Sequence, residues 1–238
     1  MKKTISLLLM SFMGLVGTGA WASSAREDSV ARLQSSVDVI QAIMATPDKG
    51  IPEEVLNGAK CILVVPNLIK GGFILGAKHG RGVASCRTSD GWSAPAFVSV
   101  GGGSAGLQIG VEGVDLVMLV MNDQGFQHLL SNKFELTGEA SGAAGPVGRH
   151  ASAGTDWKMN TEVLTYSRSK GAFAGLTLEG AVVQQDDDST RAIYGKNVEF
   201  RNILSGKVAT PKSADAFMKA VSEARQQAHI AQANEDKK

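Results

Sequence analysis

The spacing of apolar positions changes twice along this chain. From Ala25 to Ala45, Val30, Leu33, Val37, Ile40 and Met44 recur every three or four residues, which predicts one apolar stripe of an amphipathic helix. Thr46-Pro47-Asp48-Lys49-Gly50 ends it. Pro52 with Glu53 and Glu54 then has the chemistry of a shorter helix's first turn, because Pro is tolerated there and carboxylates suit the N-terminal dipole. A last helix is predicted from about Pro211 to Gln232, with Phe217, Val221, Ala224, Ala228 and Ala231 facing inward and Thr210 or Ser213 as its cap. Residues 233–238 read as a frayed tail.

The middle of the chain follows a period of two. Cys61–Val65, Gly72–Lys78, Gly82–Arg87, Pro95–Val100, Gly106–Glu112, Val114–Met121, Lys133–Leu136, Leu164–Ser169 and Ala172–Gln184 are short β-type runs, mostly separated by Gly, Pro, Asn or Asp. His79-Gly80-Arg81-Gly82 and Ser89-Asp90-Gly91 are of hairpin length, so neighbouring strands should be antiparallel. Short helices interrupt them over Asp123–Leu130, capped by Asn122, and around Val198–Leu204. The predicted fold class is α+β. It comprises a large Gly-rich, mostly antiparallel, curled or barrel-like β-sheet with an N-terminal amphipathic helix, short middle helices and a C-terminal helix.

One stretch, Gly101-x-Gly103-x-x-Gly106, has the letters of a dinucleotide-binding loop, and Asp123 lies 20 residues after Gly103. That loop needs a helix opening at its third glycine. From Gly106 the chain instead alternates, with Leu107, Ile109 and Val111 on one face and Gln108, Gly110 and Glu112 on the other. The glycines therefore read as positions of strand bending or close backbone approach, and no nucleotide is expected. Ala105-Gly-Leu-Gln-Ile109 is echoed by Ala174-Gly-Leu-Thr-Leu178, which suggests a second bent strand.

Residues 1–22 read as a signal peptide: Lys2 and Lys3 are basic, Leu7 to Val16 are largely apolar, and Ala20-Trp21-Ala22 is an A-x-A cleavage site. The expectation is an exported, periplasmic protein starting near Ser23, with one domain over 23–232. Removing Lys2 and Lys3 leaves 22 basic residues against 23 acidic ones, a net charge of −1 (from 24 and 23 in the full chain). That balance does not predict nucleic-acid binding.

The sequence offers no catalytic constellation. The four His, at 79, 128, 150 and 229, have no metal-ligand spacing, and Gly102-Gly-Ser-Ala-Gly106 precedes a strand where a nucleophile elbow precedes a helix. Asp186-Asp187-Asp188 reads as a solvated turn in preference to a cation loop. Neither a metal nor a cofactor is predicted. Charge is more telling locally. From Val55 to Ser89 there is no Asp or Glu, while Lys60, Lys70, Lys78, Arg81 and Arg87 occur. They could meet phospholipid headgroups, at about 1 kcal/mol per cation, or be the charged hairpin ends that keep sheet edges from aggregating. The N-terminal stripe is open in the same way, as core or as a membrane face. Cys61 and Cys86 would pair in an oxidising compartment. In a simple three-strand meander, however, they stand two strands apart, beyond bridging distance. The disulfide stays open.

The stretches "VPNLIKGGFILGAKHGRGVASCR", "DGWSAPAFVSVGGGSAGLQIGVEGVDLVMLVMN", "GEASGAAGPVGRHA" and "LTYSRSKGAFAGLTLEG…IYG" resemble the SYLF family over about Ile51 to Lys207. The most specific pieces are W-S-x-P at Trp92 to Pro95, the run with Gly102, Gly103, Gly106 and Gly110, and A-A-G-P-x-G-R with Gly145, Pro146 and Arg149. The resemblance is to an exported bacterial member. Eukaryotic members bind phosphoinositide membranes and some yeast members bind and bundle actin, so it implies a non-catalytic, lipid-binding module. The predicted ligand surface is a phospholipid membrane, met through Lys60, Lys70, Lys78, Arg81 and Arg87. The competing partner is another envelope protein, in a structural or assembly role.

Overall fold

The computed structural model describes residues 17–46, 50–72, 75–105, 110–131, 133–136, 143–146, 161–169, 172–173, 178 and 180–235. Its centre is a ten-stranded sheet of β1 (Cys61–Gly72), β2 (Leu75–Thr88), β3 (Gly91–Trp92), β4 (Ala96–Ala105), β5 (Gly110–Val120), β6 (Lys133–Glu135), β7 (Ala143–Ala144), β8 (Val163–Ser169), β9 (Ala172–Phe173) and β10 (Val182–Gln185). The strand order is β6-β10-β4-β2-β1-β5-β8-β7, with β3 beside β2 and β9 beside β8. Every pairing is antiparallel except β7 with β8. The fold is α+β with a large curled sheet, as the sequence pattern predicts.

Both faces of the sheet are covered where its strands are most apolar. Ile62 and Val64 of β1, with Val83, Phe97, Val117, Leu119 and Tyr166, pack under α1 (Gly17–Met44), α2 (Glu53–Gly58) and α6 (Asp215–Glu235). Their neighbours Leu63 and Val65, with Ala84, Val98 and Met118, face the other way. There they meet α3 (Asp123–Leu129), α5 (Phe200–Leu204) and the β6–β10 edge. This two-sided burial explains why Cys61–Val65 is a continuous apolar run without alternation.

The N-terminal helix belongs to this core. Leu33, Val37, Val39, Ile40, Ile43 and Met44 are buried, whereas Val30 is exposed and drops out of the predicted stripe. α1 begins at Gly17, so cleavage after Ala22 would shorten it but leave this packed part intact. α6 buries Phe217, Val221, Ala224 and Ala228 as predicted; Ala231 lies outside the residues whose side chains are described. It extends to Glu235, beyond the predicted fraying point. A 3-10 turn, Lys212–Ala214, leads into it, and the Ser213 hydroxyl is buried without a hydrogen-bond partner, so it is no cap.

Three strand assignments need correction. His79-Gly80-Arg81-Gly82 is no hairpin, since it lies inside one 14-residue strand, β2. Gly110–Val120 is one strand where the sequence suggested two, and β4 continues through Gly101, Gly102 and Gly103 to Ala105. With β2 unbroken, Cys61 and Cys86 sit directly opposite each other on adjacent strands, Cα atoms 3.9 Å apart, and they form a disulfide. The meander that kept them apart does not exist.

Among the described residues the sheet carries one internal irregularity. Pro66 falls in the middle of β1, a strand paired on both sides, where a residue without an N–H breaks the ladder. The register shifts here against both partners, Asn67 takes a φ of 50°, and its backbone N–H donates to Asp115 Oδ1 at 3.1 Å. This bulge divides the long strands into a helix-covered lower half and a Gly-rich upper half.

Candidate functional site

The five basic residues picked out by charge do not converge. Residues directly opposite each other on neighbouring strands share a face, so the pairings Lys70 with Lys78 and Lys78 with Gly102 place both lysines on one face of the upper sheet. Lys78 is buried, and Lys70 Nζ lies 3.1 Å from Glu112 Oε2; the other carboxylate oxygen of Glu112 accepts from Ser169 Oγ. Arg81 is on the opposite face, its Nε 3.9 Å from Asp186. Lys60 precedes β1 at the lower end and pairs with Asp123 at 2.9 Å. Three of the five cations of the acid-free interval, Lys60, Lys70 and Arg81, thus meet carboxylates from elsewhere in the chain.

Asp186 has the most constrained of these charges. It caps α4 (Asp187–Tyr194), accepting from the Ser189 backbone N–H and hydroxyl, and it pairs with Arg32 of α1 at 3.0 Å. Burial opposes its ionisation, but the Ser189 donations and the Arg32 charge together hold its carboxyl below the usual range. Arg32 also lies over Phe97, 5.7 Å from the ring centroid. The reading of Asp186–Asp188 as a solvated turn is therefore wrong: Asp186 is an N-cap and the next two residues open a helix. Among the described residues no group of three His, Cys, Asp or Glu could hold a metal ion.

Arg87 lies at the lower end. Its Nε and Nη2 donate to the carbonyls of Ala59 and Leu56, and its guanidinium stacks 4.6 Å from the Trp92 ring centroid. The remaining motif residues interlock nearby. Ser93 Oγ accepts from the Cys86 backbone N–H at 3.0 Å, and the Pro95 carbonyl accepts from Tyr194 of the I-Y-G stretch at 2.7 Å. Pro146 accepts in the same way from Tyr166 at 3.0 Å, and that ring crosses so close to Gly145 that any Cβ there would clash with it. Burial raises both tyrosine hydroxyls far above their ordinary values and so keeps them neutral donors. A Cβ on Gly102 would stand 2.5 Å from the Gly180 carbonyl oxygen, so this glycine allows β4 and the chain before β10 to touch. Gly103 and Gly110 lie in β4 and β5; Gly106, Arg149 and most of the 105–109/174–178 echo fall outside the described residues.

A family model described as Ysc84, Las17-binding protein actin regulator, matches residues 101–224. The chain belongs to the Ysc84 (SYLF) family. Protein YSC84 of Saccharomyces cerevisiae is 35% identical over 176 residues, which are 72% of this chain and 37% of that protein. LAS seventeen-binding protein 3 of the same species is 34% identical over 177 residues, 72% of this chain and 38% of its own. Human SH3 domain-containing YSC84-like protein 1 is 33% identical over 171 residues, covering 71% and 50%. The chain thus spans half or less of the length of these SYLF relatives. The family is one of binding and regulatory proteins.

The Gly-rich strands, read from the sequence as places of close backbone approach, form the outer face of the upper sheet; what sequence reasoning missed are the exposed apolar side chains on it. Ile69 is opposite His79 and Gly113, Gly71 is opposite Ala77 and Val111, and His79 and Ala77 are opposite Gly101 and Gly103. These eight residues make one continuous face across four strands, about 14 Å wide at ~4.8 Å per strand spacing. Val111 is 79% exposed and Ile69 41% exposed. None of these eight residues is Lys, Arg, Asp or Glu. Arg81 and the ladder pair Asp115 and Arg168 lie at its border. The alternation after Gly106 was the available signal, because it put Val111 opposite Glu112.

Proposed function

We propose that this chain is an exported, non-catalytic lipid-binding protein that docks on an anionic phospholipid surface through the outer face of its upper sheet. The exposure of Val111 and Ile69 on a glycine-rich face whose described residues carry no charge carries this reading. Soluble proteins rarely leave contiguous apolar surface uncovered without a partner, and a glycine-lined sheet brings backbone close to a headgroup layer. Arg81, at the border, faces the anionic surface from the same side. Lys60 and Lys70 pair with Asp123 and Glu112, Lys78 is buried and Arg87 lies at the lower end, so of the five cations only Arg81, exposed and 3.9 Å from Asp186, borders this face. Export is supported by the signal-like residues 1–22 and by the Cys61–Cys86 disulfide, since such bonds persist in oxidising compartments such as the periplasm. No helix among the described residues is long and apolar enough to cross a membrane. The association with Las17 and actin that the family description and the yeast relatives' names carry belongs to those proteins.

Flotation with vesicles of phosphatidylglycerol and phosphatidylcholine tests the proposal. Replacing Ile69 and Val111 together with Asp removes about 3 kcal/mol of apolar burial, a weakening of roughly a hundredfold. Retention by the double variant equal to that of the parent would refute the docking face. Absence of binding to any lipid, with recovery of an envelope protein bound to the parent, favours the assembly role instead.

A further inference from the structure

At the lower end of the sheet, away from the proposed docking face, a cavity of about 160 Å³ opens beside Arg87. Its floor includes Ile62, Leu119 and Val221, all buried, and its mouth carries Arg87, Arg225 and Trp92. In size it is comparable to the ~150 Å³ apolar cavity that takes a benzene-sized molecule. Its charge is unusual for so small a space. Arg87 spends two of its five N–H groups on backbone carbonyls, and no carboxylate among the described residues bonds to it. Partial burial and the charge of Arg225 both lower its proton affinity, so the mouth holds two like charges that work against each other. Arg225 has one carboxylate, Glu53, with Nε 3.4 Å from Oε1, and Glu53 also accepts His229 at 2.7 Å. Two guanidiniums over an aliphatic floor, with a single carboxylate that Arg225 shares with His229 and that does not reach Arg87, form a site short of an anion.

We propose that this cavity binds a small amphiphilic anion, with a carboxylate or phosphate-monoester head and an apolar body of about six carbons. The head lies between Arg87 and Arg225, whose planar forks match a carboxylate or phosphate. The body enters against Ile62, Leu119 and Val221 and the Trp92 ring. The sheet closes the floor, so a diacyl lipid does not fit. This site is independent of the membrane-docking face and stands or falls separately from it.

Titration of the mature protein with hexanoate and with hexyl phosphate, followed by the NMR signals of the Trp92 indole N–H and the arginine Nε–H groups, tests the site. Both ligands should shift these signals saturably. Hexanol, which lacks the charge, and inorganic phosphate, which lacks the apolar body, should need at least roughly tenfold higher concentrations. Arg225→Gln should weaken hexanoate binding about tenfold, the scale of one charge-assisted hydrogen bond. Ser222→Glu, an exposed change at the cavity rim, should abolish binding by setting a carboxylate against the head. No saturable shift up to roughly 10 mM, equal binding of hexanol, or unchanged binding in a folded Ser222→Glu variant would overturn the proposal. If phosphatidic acid vesicles shift Trp92 while both soluble anions do not, the small-molecule site is likewise overturned.

Discussion

Below the Pro66–Asn67 bulge, strands β1, β2, β4 and β5 bury side chains on both faces; above it, the same strands bury one face and leave the other bare. In the lower half Ile62 and Leu63 are successive residues with opposite directions and equal burial, because helices lie on one side and the β6–β10 edge with α5 on the other. In the upper half Lys78 is buried while Ala77 and His79 on either side of it are exposed. Composition follows. Where both faces are covered the strands are aliphatic and carry a disulfide; where one face is open they are glycine-rich. The difference teaches that the glycines serve shape. They keep side chains off the open face, and at Gly102 they permit a backbone contact that a side chain would prevent.

If the lower half is the stable platform, damage there should show in stability and leave vesicle binding alone. The largest effect is expected from the disulfide. Cys61 and Cys86 are 25 residues apart in sequence, and the loop they close is worth about 3 kcal/mol in the chain-entropy picture. Replacing both with Ala, or reducing the bond, should lower the thermal midpoint by roughly 6–12 °C for a chain of this size. Calorimetry with and without reductant measures this. Flotation at a temperature where both forms are folded should be unchanged, and loss of lipid binding in parallel with stability would erase the distinction between the halves.

Asp186 fastens α1 and α4 to the sheet. Asp186→Asn keeps an oxygen that can cap α4 but leaves the Arg32 charge partly buried without its partner, at a cost of about 2–3 kcal/mol. Its pH dependence gives a sharper test. A carboxyl held below its unfolded value stabilises the fold fully above that value, near pH 4, and the contribution disappears as pH falls through the lower folded value. Between pH 7 and pH 3 the parent should therefore lose more stability than Asp186→Asn. Denaturant melts at several pH values decide it, and equal acid limbs would remove Asp186 from the account.

Much of this architecture was legible, and what was not has physical causes. α1, α3 and α6 show in the apolar period and in the Asn122 cap, because those signals are local. The continuity of β2 was hidden because Gly80 and Gly82 look like turn residues in isolation. They sit in a strand since β1 bulges opposite them at Pro66, a fact no local window contains. α4 was missed because Asp-Asp-Asp-Ser-Thr is polar and its buried apolar side is little more than Ile193, too short for a visible 3.6 period. The cationic interval was read correctly as free of acids, yet Glu112, Asp123 and Asp186 arrive from afar to pair with it. The family motifs were recognisable as letters, but their reason is tertiary: Tyr194 finds Pro95 and Tyr166 finds Pro146.

The smallest effect should come from the residue that matters most for the proposed function. Val111 is the most exposed of the large hydrophobic side chains described. An Asp in its place opens no cavity and strands no buried group, so stability should change by no more than about 0.5 kcal/mol. Part of that comes from the lower β-propensity of Asp, a context-dependent effect on a scale spanning about 1 kcal/mol. Val111→Thr keeps the β-branch at the same position and separates the two contributions. If Val111→Asp lowers stability by 2 kcal/mol or more, comparable to the changes at Asp186, then the face is covered in solution by another part of this chain or by a second copy. The contrast between a buried platform and an open upper face would then be lost. A near-zero effect, together with the loss of vesicle binding by the Ile69 and Val111 double variant, assigns stability to the lower half of the strands and recognition to the upper.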